Sequence, residues 1–192
     1  HFFFGGESRE KTNSQLVTIK DDRNMSIEID SIENNSPNIH SRSGHSLCSD
    51  GKDIYVFGGK KSNYDFFDDL WKYETETKTW QLLTPRQTKP SKRAFHCCCF
   101  YHSPSTNKQT ITVFGGLGDK KKPLDDIAVF DIDTCNWTIY ELFNSPSPRY
   151  SMGSCICNES FLIIVGGRDE RYVFNDVYSF DLAHKMWKKI VV

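Results

Sequence analysis

Several things are missing from this chain of 192 residues. No stretch sustains the 3.6-residue period of an amphipathic helix, so very little helix is expected. No apolar run approaches the ~20 residues that a helix needs to cross a bilayer, so no membrane span is expected. Neither sign of charge dominates: 24 Lys plus Arg stand against 25 Asp plus Glu. A nucleic-acid partner calls for a strong positive field and is not expected. The opening "HFFFGGESREK" has too short an apolar run for a signal peptide and no small-residue cleavage site. The seven cysteines are odd in number and do not follow disulfide-framework spacings. They lie among Val, Ile, Phe and Tyr and read as reduced, small hydrophobes, which leads to the expectation of an intracellular protein, cytoplasmic or nuclear.

The usual signatures of bond chemistry are also missing. There is no G-x-S-x-G elbow and no G-x-x-x-x-G-K-[ST] loop, and "GGLGDKKK" leads into a loop and strand rather than a helix. The nearest approach to a metal set is His96, Cys97, Cys98, Cys99 and His102. In a strand neighbouring side chains face opposite ways, so adjacent cysteines cannot converge on one ion. Cys48, Cys99 and Cys155 each fall six residues after an Arg, which suggests core packing at equivalent repeat positions. No catalytic residue, metal ligand or cofactor is assigned.

What the sequence does have is repetition. A Gly pair ends a hydrophobic run four times, at Gly5 and Gly6, Gly58 and Gly59, Gly115 and Gly116, and Gly166 and Gly167. The first members are 53, 57 and 51 residues apart. A Trp follows the second Gly by 21, 21 and 20 residues in the last three units, at Trp80, Trp137 and Trp187. Seven residues before each Trp stands another aromatic: Tyr73, Phe130 and Phe180. Each unit resolves into four short runs rich in Val, Ile, Tyr, Phe and Trp, split by Gly, Asp, Asn, Ser and Pro. In the second unit they are "GHSLCS", "IYVFGG", "DLWKYE" and "TWQLL".

Four short antiparallel strands cannot bury both faces of their sheet alone, whereas stacked sheets can bury each other. A Trp and its aromatic partner would fill the wedge between sheets, each ring covering on the order of 150–250 Å². Acidic pairs recur before the third strand, at Asp68-Asp69 and Asp125-Asp126, with Asn175-Asp176 in the last unit. Recurrence points to a structural job, such as capping backbone donors.

This pattern resembles the kelch repeat of β-propellers. The second unit carries "RSGHS" from Arg42, the third "RAFHC" from Arg93, and the fourth "RYSMG" from Arg149 with Met152 in the His position. The resemblance implies an all-β, kelch-type propeller, here a partial one forming an open arc. Residues 1–36 would be an incomplete, divergent blade, with Ser26 where a Trp would fall. Residues 37–89, 90–145 and 146–192 would be full four-stranded blades. Kelch propellers usually have five to seven blades, so the chain reads as part of a larger, multidomain protein. Further blades or a second copy would close the ring.

The resemblance further implies a protein-interaction module that displays loops, not an enzyme. The alternatives are a kelch-like metal- or sugar-dependent enzyme at the channel mouth and a protein that binds cytoskeletal filaments. In a kelch propeller the loops between second and third strands share one face with those between blades. That face would gather Lys60, Lys61, Arg86, Lys89, Lys92, Lys120, Lys121, Lys122, Arg168 and Arg171, with Tyr64, Phe66 and Tyr172 among them. Such a mixture suits a protein or peptide partner of acidic or phosphorylated character.

Overall fold

A computed structural model describes the backbone of residues 2–7, 12–19, 27–30 and 39–191, and the side chains of 39–191. Ser26 lies outside the described residues. Every regular element described is a strand. The first unit is a three-stranded antiparallel sheet of β1 (Phe2–Glu7), β2 (Thr12–Ile19) and β3 (Ile27–Asp30), in that order. The second unit comprises β4 (Ser46–Ser49), β5 (Ile54–Phe57), the small ribbon β6 (Lys60–Ser62) and β7 (Asp65–Phe66), then β8 (Leu70–Glu74) and β9 (Thr79–Leu83). Its four main strands pair in sequence order.

The third unit has β10 (Arg93–Ala94), β11 (Cys97–His102), β12 (Gln109–Gly118), β13 (Pro123–Asp131) and β14 (Asn136–Tyr140). The fourth has β15 (Gly153–Cys157), β16 (Phe161–Val165), β17 (Val177–Asp181) and β18 (Met186–Ile190), again paired in order. The architecture is all-β and consists of short antiparallel meanders, as the sequence implies.

Alternation decides which side chains the sheets bury. In the second strand of each of the last three units, Ile54 and Val56, Ile111 and Val113, and Leu162 and Ile164 have no measurable exposure. On the other face, Phe57 packs on Trp137 of the next unit with ring centroids 5.1 Å apart, and Phe114 packs on Trp187 at 4.8 Å. Each Trp also meets the aromatic of its own third strand: Tyr73 with Trp80 at 5.0 Å, Phe130 with Trp137 at 5.1 Å, and Phe180 with Trp187 at 4.8 Å. These pairs sit directly opposite each other across the hairpin register.

The repeat is interrupted at the far side of the fourth unit. Val165 stands where Phe57 and Phe114 stand, yet it is 48% exposed. Cys155, expected in the core, is exposed with Cys157, while its equivalents Cys48 and Cys99 are buried. The reason is positional: Cys155 faces away from the third unit, toward a side that no described residue covers.

Candidate functional site

The loop face is built on a buried arginine in each of the last three units. Arg42, Arg93 and Arg149 are all but inaccessible to solvent. Arg42 donates to both carboxylate oxygens of Asp69 at 2.6 and 2.9 Å, Arg93 to Asp126 at 2.9 and 2.7 Å, and Arg149 to Asp176 at 2.6 and 3.2 Å. Each also donates to the carbonyl of the first Gly of its own pair, at 2.9, 3.1 and 2.9 Å for Gly58, Gly115 and Gly166. A planar fork paired with a carboxylate satisfies a buried charge and fixes its direction. The acids thus clamp an arginine, and the capping of backbone donors expected from sequence is not their main task. Burial opposes ionisation of Asp69, but the two bonds from Arg42 outweigh it and its carboxyl is lowered; the bonds from Arg149 lower Asp176.

The arginine's backbone joins one unit to the next. Gly59 N–H donates to the Arg93 carbonyl at 2.8 Å, and Arg93 N–H donates to the Phe67 carbonyl at 3.1 Å. The third and fourth units repeat this with Gly116 to Arg149 at 2.9 Å and Arg149 to Leu124 at 3.0 Å. The Gly pair follows from this approach. Gly58 and Gly115 have φ of 63° and 64°, and a Cβ there would lie 2.7 and 2.8 Å from the carbonyl oxygens of Arg93 and Arg149. Gly167 N–H has no such partner among the described residues.

Beyond the Gly pairs of the last three units the chain continues as a short ribbon, not as a loose loop. In the second unit this is β6–β7; in the third β12 and β13 run on through Leu117 opposite Pro123; in the fourth Arg168 bridges Val173. The ribbons and the interunit connections form one surface. The Lys121 ammonium lies 5.0 Å from the Tyr64 ring, joining the second and third ribbons. Lys122, Pro123 and Pro148 line a groove of about 240 Å³ with Asp169, Glu170 and Arg171 of the fourth. Lys89 of the connection pairs with Asp68 at 2.9 Å.

Lys61, Arg86, Lys92, Lys120, Lys121, Lys122, Arg168 and Arg171 are exposed, and Lys60 is partly so beside the Phe95 ring. Tyr64 is 83% and Tyr172 64% exposed. Phe66 is a correction. It was expected on the binding surface, but it is 2% exposed, because alternation in β7 turns it inward while Asp65 faces out. The face also carries acids: Asp169 accepts from the backbone N–H groups of Tyr172 and Arg171 at 2.6 and 2.7 Å, and these bonds lower its carboxyl.

The chain as a whole is similar to known proteins. The chain matches, over residues 1–192, the model of the KLHDC2/KLHL20/DRC7 Kelch-repeats domain. It belongs to the kelch-repeat family. It is 32% identical over 164 residues to human Kelch domain-containing protein 3, covering 78% of this chain and 40% of that protein. It is 27% identical over 147 residues to Acyl-CoA-binding domain-containing protein 4 of Arabidopsis thaliana, covering 76% of this chain and 21% of the relative. The chain therefore spans less than half the length of these relatives. Kelch repeats generally act as protein-interaction scaffolds, and this kelch chain has the architecture of one.

A second concavity, of about 310 Å³, lies among the turns at the other end of the third and fourth units. It is lined by Ser103, Thr106, Lys108, Thr110, Tyr140 and Lys185, among others. Burial lowers the Lys185 ammonium, which donates to the Leu182 carbonyl. Sequence reading passed over this lysine because its environment comes from Tyr101, far away in the chain. Among the described residues no three His, Cys, Asp or Glu side chains converge as a metal set, and no helix is long and apolar enough to cross a membrane.

Proposed function

We propose that the ribbon face docks an acidic or phosphorylated segment of a partner protein. The observation that carries this reading is the joining of three successive ribbons into one surface. That surface presents Tyr64 and Tyr172 as exposed rings amid a surplus of lysine and arginine. Rigid aromatic anchors supply contact area at low entropic cost, and the basic rim steers and orients an anionic chain. The buried Arg–Asp clamps below keep the ribbons in register, so little ordering is left for binding to supply.

Selection from a displayed random-peptide library tests the reading. Acidic sequences should be enriched on the wild-type chain and not on a Lys120→Glu, Lys121→Glu, Lys122→Glu variant. Equal enrichment of neutral or basic sequences would reject it.

The open side of the fourth unit has a separate role in this proposal: it receives a further Arg-led unit of the same kind. The interfaces between the second, third and fourth units supply the pattern for this reading. A Trp would cover Val165, and an arginine backbone would take up Gly167 N–H and the Phe174 carbonyl, as Arg93 does with Gly59 and Phe67.

A further inference from the structure

We propose that Cys48 and Cys98 are an oxidation site, which a hydroperoxide converts to a disulfide joining the second unit to the third. The strands β4 and β11 of these units lie against each other: Ser46 Oγ is 2.5 Å from Nε2 of His96, the residue that leads into β11. Two residues further along each strand the side chains return to the same face. That brings Cys48 opposite Cys98, within one packed cluster that also holds Tyr55 and Phe57. Cys48 is buried in that cluster with Cys98 packed against it, and both cysteines are free. Cys97 and Cys99 project to the other side of β11, into the core shared with the fourth unit, and the Cys97 thiol donates to the Phe114 carbonyl at 3.7 Å.

Accessibility differs within the triplet "CCC". Cys98 is partly exposed, whereas Cys97 and Cys99 are buried. The thiolate is the nucleophile, so the group that ionises most readily reacts first. The neighbouring Cys48 thiol favours ionisation of Cys98 and is itself raised, with burial of Cys98 opposing and Ser46 helping. Burial pushes Cys97 up to about 12, and it raises Cys99 too.

The chemistry balances with the peroxide as oxidant. The Cys98 thiolate attacks one peroxide oxygen, the O–O bond breaks, and the departing oxygen leaves protonated as water or an alcohol. Cys98 is then a sulfenic acid. The Cys48 sulfur attacks the Cys98 sulfur, the S–O bond breaks, and the oxygen leaves as water with the Cys48 proton. Two thiols lose two electrons and the peroxide gains them. The bridge closes a long loop and so restricts the unfolded chain.

The test is a brief exposure of the reduced chain to hydrogen peroxide. Free thiols are then blocked, and the chain is digested without reductant and sequenced by fragment ions. The expected result is a linked pair joining Cys48 to Cys98. In Cys48→Ser, a sulfenic-acid trap should mark Cys98 specifically. Oxidation should raise the thermal midpoint of the wild type by several degrees and reverse with a thiol reductant, with no rise in Cys48→Ser. Absence of the 48–98 link in the wild-type digest, or oxidation of Cys97 or Cys99 ahead of Cys98, would overturn the proposal whatever the variants do.

Discussion

Phe57 and Trp137 belong to different sheets, 80 residues apart in the chain, yet their ring centroids lie 5.1 Å apart. Trp137 also packs on Phe130 of its own hairpin. One indole thus closes the wedge between two units and the face of a third strand. Trp137→Ala should cost roughly 3–5 kcal/mol, the range for losing a large buried aromatic. Chemical denaturation would show it, and an unchanged midpoint would contradict the packing described.

The buried arginines give a prediction with two arms. Asp126→Ala leaves Arg93 uncompensated in the interior and should cost about 3–5 kcal/mol. Replacing both, as Arg93→Met with Asp126→Leu, should cost less than the sum of the two single changes, because no charge is then stranded. A strictly additive double variant would show that the pair is not coupled.

His96 ties stability to pH. Burial holds its imidazole well below the usual 6.5, helped by the nearby Arg93 and His45. The folded chain therefore favours the neutral ring more strongly than the unfolded chain does. The resulting stability is fully present above about pH 6.5 and is lost as pH falls below it, when the unfolded state takes up a proton first. Met152 fills the equivalent position in the fourth unit, so His96→Met keeps a side chain the fold already accepts. Urea midpoints between pH 7 and 5 should fall more steeply for wild type than for this variant. Parallel profiles would count against a buried neutral His96.

Cys155 and Cys157 report on the open side of the fourth unit. Both are exposed here and should be alkylated quickly. Fusing a second copy of residues 84–140, a connector plus an Arg-led unit, after Val192 should slow both thiols by about tenfold or more. Undiminished labelling in the folded fusion would show that this side does not receive such a unit.

Much of the fold was legible because each unit writes its turns and wedges locally. Gly58-Gly59, Tyr73 and Trp80 are spaced by strand and hairpin lengths that the sequence states directly. Long-range pairings were not legible. Arg42, Arg93 and Arg149 recur, and so do the acids, but the chain does not say that Arg93 reaches Asp126 across 33 residues. Phe66 was misplaced because the segment after Gly59 looked like loop, while in fact it is a ribbon with alternation. Cys155 was misplaced because repeat position predicts burial only where a neighbouring unit covers it.

The most direct test of the binding account uses an acidic peptide selected on the wild-type chain and measures its association rate across a range of salt concentrations. Reversing Lys120, Lys121 and Lys122 to Glu should slow association and flatten its salt dependence, because steering acts within a Debye length of ~8 Å at physiological salt. The fold should persist, as exposed changes of this kind typically stay within ~0.5 kcal/mol each. Reversing Lys78 and Lys108, which lie in turns at the opposite end of their units, should leave the rate unchanged. If the triple reversal and this control both bind at the wild-type rate and salt slope, the ribbon face is not where the partner docks.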